Sequence, residues 1–249
     1  MAYGARSYTR GYLSSGGLPP AIRWLLISNI SIFLILFFLR SQTAELVHLL
    51  ALYPALAAGH LYVWQLATHM FVHVGVMPTL WSMLMLWLFG QQFEWMWGTR
   101  RFLQFYFFCG IGSGLVIVLA SYLFGSPQLP MFSCMGALYG LLIAAAVVMP
   151  DDTALFSFFI PMKMKLLVLI AAAVAFLFAF ESGNTVGNLA QLFGGMGCGY
   201  LFLKMPKLQR VDVGGSLSGA YRTWRINRAK KKFQVYLRKQ ESSRNRRVQ

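Results

Sequence analysis

The sequence predicts an all-α, polytopic membrane protein built as a bundle of six transmembrane helices. Three observations carry that fold class. The first is composition: 57% of the 249 residues are hydrophobic and 12% charged, with a mean hydropathy of +0.57. An average soluble domain holds about 45–50% apolar and about 25% charged residues. The second is a series of apolar runs, several close to the about 20 residues a bilayer-spanning helix needs. The third is the alternation of positive charge between successive loops. A soluble enzyme, a secreted disulfide scaffold and a disordered chain are excluded.

In order, the runs cover roughly 23–40, 66–90, 102–124, 132–149, 166–181 and 185–203. Arg6, Arg10 and Arg23 accompany the first, Arg100 and Arg101 precede the third, and Lys163 and Lys165 precede the fifth. The alternate loops lack basic residues, so an even number of spans with both termini cytoplasmic is expected. Residues 1–22 then form a cytoplasmic N-terminal segment, 23–204 the six-helix membrane domain, and 205–249 a basic cytoplasmic tail. Loop 41–65 is apolar but broken by Pro54 and Gly59. With Tyr53, Tyr62 and Trp64 it is expected to lie in the membrane interface.

The tail explains most of the net charge of +15. Thirteen of the 22 basic residues follow Met205, opposed only by Asp212 and Glu241. Basic residues straight after a final span favour anionic lipid headgroups, not nucleic acid. Tyr221 to Lys239 mixes aromatic and basic residues as a surface amphipathic helix would. The polar N-terminus lacks the pattern of a cleaved signal peptide. Cys109, Cys134 and Cys198 fall in or beside apolar runs, where buried thiols behave as small hydrophobes.

Polar groups inside a span are expensive and point to function. Acidic residues are absent from the span centres, which argues against a proton-coupled or cation transporter. Gly110, Gly112 and Gly114 in the third run, and Gly194, Gly195, Gly197 and Gly199 in the sixth, form seams on which helix backbones can close.

Several ordered motifs resemble rhomboid intramembrane serine proteases. The run Trp64-Gln65-Leu66-Ala67-Thr68-His69-Met70-Phe71-Val72-His73 is similar to the start of the rhomboid second span, which continues through Trp81 and Trp87 to Gly90. Glu94, Gly98 and Arg100-Arg101-Phe102 resemble the loop after it. Gly136-Ala137-Leu138-Tyr139-Gly140-Leu141-Leu142 resembles the segment after the nucleophile, and Ile160 to Lys165, Gly194-Gly195-Met196 and Gly199-Tyr200-Leu201 follow in order. The resemblance covers about residues 20–205 and implies a six-helix rhomboid-like bundle in a prokaryotic plasma (inner) membrane.

The catalytic residues that the family implies are missing. The frame Gly-Ala-Ser-Gly-Ala-x-Tyr-Gly reads Ser133-Cys134-Met135-Gly136-Ala137-Leu138-Tyr139-Gly140 here, so Met135 stands at the nucleophile position. A thioether has no proton to lose and cannot attack as an alkoxide would. The base position falls on Gln191 when aligned from Asn188, or on Leu192 when aligned from Gly195 and Gly199. The oxyanion positions fall on Pro78 and Ser82. Losing one oxyanion donor costs about 10²–10³ in rate, and losing a nucleophile or base about 10⁶. The expectation is a rhomboid pseudoprotease, not an enzyme, with no catalytic residue, cofactor or metal.

Alternatives remain. Ser133 and Cys134 stand about 200° and about 100° from Met135 on a helix; if the backbone there is not helical, Cys134 could face the site with His69 or His73 as base. The chain would then be an active intramembrane endopeptidase with a displaced nucleophile. It could also be a structural subunit of a membrane complex. His69 and His73, four apart, could share a helix face toward a metal, but a third ligand is lacking. Glu94 is expected to brace its loop with Arg100 or Arg101. Gln65 replaces the arginine of the family's Trp-Arg pair, which leaves the usual anchoring of the first loop in question.

The expected partners are transmembrane client proteins at the membrane domain and anionic lipid at the tail, with no nucleic acid. Met135, Ser82 and Gln191 would line the vestigial site. Gly195, Gly199, Phe193, Tyr139 and Trp64 would meet the client, with Phe193 plugging the former site.

Overall fold

The computed structural model describes residues 17–39, 43–150, 153–156, 160–181 and 183–205, all within one compact unit that ends at Pro206. The expected tail helix over 221–239 and most of the N-terminal segment lie outside the described residues.

Most of the apolar runs are helical. Helix α1 (Pro20–Phe38) begins with Pro20 in its first turn, where a missing N–H costs nothing. Three short helices follow: α2 (Thr43–Leu50), α3 (Pro54–Gly59) and α4 (Gln65–Thr68), the last continued by a 3-10 turn over His69–Phe71. Helix α5 (Val76–Trp97) then sets off at 98° to the segment Gln65–Phe71. The bend is made at Gly75, whose φ of +90° a side chain would strain. Pro78 sits in the first turn of α5, where its ring is tolerated. Helices α6 (Thr99–Phe124), α7 (Met135–Val148), α8 (Met164–Glu181) and α9 (Thr185–Lys204) complete the bundle. Asn184 caps α9 by accepting from Gly187 N at 3.0 Å.

One feature departs from an all-α expectation. Between α7 and α8 a short antiparallel hairpin pairs β1 (Thr153–Phe156) with β2 (Ile160–Lys163), Thr153 facing Lys163.

Among the described residues three helices, α1, α6 and α8, are long and apolar enough to cross a membrane, and the bent pair Gln65–Phe71 with Val76–Trp97 makes a fourth if taken as one span. Helix α7, with 14 residues, is shorter than a full span. These helices expose large apolar side chains such as Leu123 and Phe124 on α6 and Leu169, Leu177 and Phe178 on α8. Lipid, not water, is the solvent that such surfaces suit.

The centre is formed by α6, α7 and α9. A methyl group added at Gly195 would collide with the Gly136 backbone, and one at Gly199 would lie 2.8 Å from the Gly140 carbonyl oxygen. Gly136 in turn lies against Ser113 of α6, and Gly140 against Cys109. Backbones meet this closely in lipid only through residues without side chains.

Glu94, at the end of α5, is buried and joins that helix to α1. Its carboxylate accepts from Ala21 N at 2.8 Å and Ile22 N at 2.9 Å, and from the Thr99 hydroxyl at 2.7 Å. Glu94 thus braces the uncapped start of α1, where free amides attract a negative charge. Arg101 lies over the Trp97 ring at 5.3 Å.

Candidate functional site

The site is built where four segments meet: the loop before α7, the turn after α4, the first turns of α5, and α9. The loop enters α7 through Ser133, whose φ is +91°. That conformation is rare for a residue with a side chain and persists only where neighbours over-determine it. Here the Ser133 N–H donates to His69 O at 3.0 Å and Val72 O at 2.8 Å. On the other side Gln191 Nε2 donates to Ser133 O at 3.3 Å. Ser133 enters the site through its backbone.

Cys134 follows as the N-cap of α7, with φ −77° and ψ 10°. It is buried, and its Sγ lies 3.6 Å from His73 Nε2. His73 Nδ1 lies 3.3 Å from Phe71 O. A carbonyl can only accept, so Nδ1 carries the proton and Nε2 is left to accept from the thiol. Of the two histidines offered by the sequence, His73 is the one that reaches Cys134. His69 is buried elsewhere, its Nδ1 2.9 Å from Gln65 O.

The four-residue spacing of these histidines does not put them on one helix face, because the chain turns extended at Val72, with ψ 124°. Among the described residues no group of three His, Cys, Asp or Glu side chains could hold a metal ion.

The four positions expected to be vestigial divide. Met135 is the half-buried first residue of α7. Gln191 and Leu192 are both buried, but it is Gln191 whose amide bonds to the loop ahead of α7, and its side chain also approaches Gly136. Ser82 is fully buried and donates its proton to Pro78 O at 2.8 Å, so this hydroxyl is already committed to its own helix. Pro78 is exposed on the first turn of α5 and does not line the buried part of the site.

Two expectations about the site are corrected, the docking face at Gly195 and Gly199 and the plug at Phe193. Gly195 and Gly199 do not offer a face to a partner helix, because α7 already fills it through Gly136 and Gly140. Phe193 does not plug the site: it is 60% exposed, midway between Gln191 and Gly195 in sequence and so about 200° around the helix from the stripe that faces α7, and its ring meets Phe176 of α8 at 6.4 Å. Trp64 is 43% exposed, stacks on Tyr62 at 4.5 Å and donates to Leu49 O at 3.2 Å, which makes it part of the first loop. Tyr139 is half-buried on α7.

Two residues matter more than the sequence indicated. Gln65 does anchor the first loop without the family's arginine. Fully buried, it accepts from Tyr53 N at 3.1 Å and donates to His48 O at 3.0 Å. A neutral amide offers both donor and acceptor, which suits a buried loop backbone. Tyr106, buried on α6, places its hydroxyl beside the Cys134 thiol without closing a well-formed hydrogen bond. A lone hydroxyl in the run Phe105-Tyr106-Phe107-Phe108 was the signal for it.

Comparison with known proteins places this geometry in a family. Residues 60–206, more than half of the chain, match the rhomboid domain. A similar curated protein is the rhomboid protease GluP of Bacillus subtilis (strain 168), 30% identical over 132 residues. The match covers 53% of this chain and 24% of that relative, so this chain corresponds to about a quarter of the relative's length. The chain belongs to the rhomboid family of integral membrane proteins.

Proposed function

We propose that this rhomboid-family protein is a pseudoprotease that binds transmembrane helices of client proteins without cleaving them. The observation that carries the reading is the start of α7, where Met135 stands at the nucleophile position while Gln191, from α9, spends its amide on the Ser133 carbonyl. Neither side chain can play its part in a serine–histidine relay, in which a base takes the hydroxyl proton as the oxygen attacks. Ser82, bonded to Pro78 O, adds no free donor for an oxyanion. A client helix with weak apolar character would gain polar neighbours in the bundle that lipid cannot supply. The same reading takes six spans in a prokaryotic plasma membrane, both termini cytoplasmic, and the basic tail on anionic lipid.

A second reading rests on the thiol 3.6 Å from His73 Nε2. A thiol oriented on an imidazole, itself held by the Phe71 carbonyl, has the arrangement of a cysteine nucleophile and its base. The chain would then be an intramembrane endopeptidase of the cysteine type.

Cleavage in liposomes separates the two. The purified protein is incubated with a panel of transmembrane substrates beside an active rhomboid. No product is expected from this protein, in keeping with a rate at least about 10⁶ below that of an intact serine centre. Client helices are expected to be captured by crosslinking under the same conditions. Product that disappears on Cys134→Ala would establish the cysteine reading instead.

A further inference from the structure

The first loop is fastened on two sides. On one, the α4 turn grips its backbone: Gln65 binds Tyr53 N and His48 O at 3.1 and 3.0 Å, and the Thr68 hydroxyl donates to Leu50 O at 2.7 Å. On the other, Leu52 and Met131 exchange both backbone hydrogen bonds, each 2.8 Å. Met131 stands two residues before Ser133 and three before the Cys134 thiol. Met131 is also held from α9, where Asn184 Nδ2 lies 3.3 Å from its sulfur.

We propose that this loop, from Thr43 to Trp64, is a latch on the Cys134–His73 pair. Docked on α4, it holds Met131 and the segment leading to Cys134 in place; lifted, it draws Met131 with it and loosens the segment that carries the thiol. Buried backbone groups are not left unpaired, so Leu52 and Met131 move together. The positive φ of Ser133 stays only while its surroundings impose it, so a freed segment relaxes and carries Cys134 away from His73. Leu49, Leu61 and Val63 are exposed on the loop, as side chains suited to a membrane interface would be, so on this proposal whatever displaces the loop there acts on the pair. The latch rests on these hydrogen bonds alone and not on client binding, so each can fail without the other.

Alkylation of the full-length protein in liposomes by N-ethylmaleimide, read residue by residue by peptide mass spectrometry, tests it. Cys109, equally buried on α6 against Gly140, reports any general loosening of the bundle. Gln65→Ala and Thr68→Val are each expected to speed alkylation of Cys134, Gln65→Ala by about tenfold or more since it loses two buried hydrogen bonds. The Cys109 rate is expected to stay at the wild-type value. An unchanged Cys134 rate in both variants overturns the latch, as does a parallel rise at Cys109 or a wild-type Cys134 that reacts as fast as free cysteine. If Gln65→Ala does not fold, Thr68→Val decides by the same two rates.

Discussion

Gly195→Ala is expected to leave little folded protein in mild detergent. The added methyl would meet the backbone of Gly136, and a backbone cannot swing aside as the end of a flexible side chain can. Overpacking a tight core costs typically about 1–3 kcal/mol and occasionally more. Backbone against backbone puts this variant at the upper end, about 3 kcal/mol or above. Gly197, two residues on, is the control, with nothing within 4 Å of the position a methyl would take. Gly197→Ala is expected to be neutral or to gain up to about 1 kcal/mol from helix propensity. Thermal unfolding midpoints of the two purified variants check both, and equal losses would show that the α7–α9 seam is not where the bundle closes.

Glu94→Ala is expected to detach the start of α1. That helix opens on Pro19 and Pro20 with no side-chain cap of its own, and Glu94 supplies the acceptors for the Ala21 and Ile22 amides. Both residues are buried, so water does not readily replace the carboxylate. An unsatisfied buried donor costs about 1–3 kcal/mol; with two amides and the Thr99 hydroxyl affected, the total is expected near about 2–4 kcal/mol, since such losses do not add fully. Glu94→Gln keeps one acceptor oxygen and is expected to lose about half as much. The unfolding midpoint in detergent measures both. A Gln variant as unstable as the Ala variant would mean that charge, not acceptor geometry, holds the junction.

Much of the candidate site is legible in the sequence. Met135 follows from the frame that ends in Tyr139-Gly140, and the absence of histidine after His73 is visible by inspection. The choice between Gln191 and Leu192 was not legible, because neighbouring residues on a helix differ by only about 100° in direction. It is the packing of Gly195 and Gly199 on α7 that turns the stripe containing Gln191 toward Ser133. Glycines at four-residue spacing read first as an internal seam, with a docking face for a partner as the alternative. Only the neighbouring helix distinguishes them, and here α7 occupies the face.

Some contacts were out of reach because they join residues far apart in sequence. Cys134 and His73 are 61 positions apart, and Glu94 and Ala21 are 73 apart. Hydropathy reports what each segment prefers as a solvent and is silent about which segments become neighbours.

By itself the sequence determined that this chain is a helical membrane protein with the ordered motifs of a rhomboid, since burial in lipid and motif spacing depend on residue type and order. The tertiary structure decided what the remaining polar groups do. It bent the chain at Gly75, took His73 off the helix face shared with His69 and brought it to Cys134, and gave the loop anchor to Gln65. Those outcomes depend on backbone direction and on which buried group finds a partner, and neither is written in any single segment.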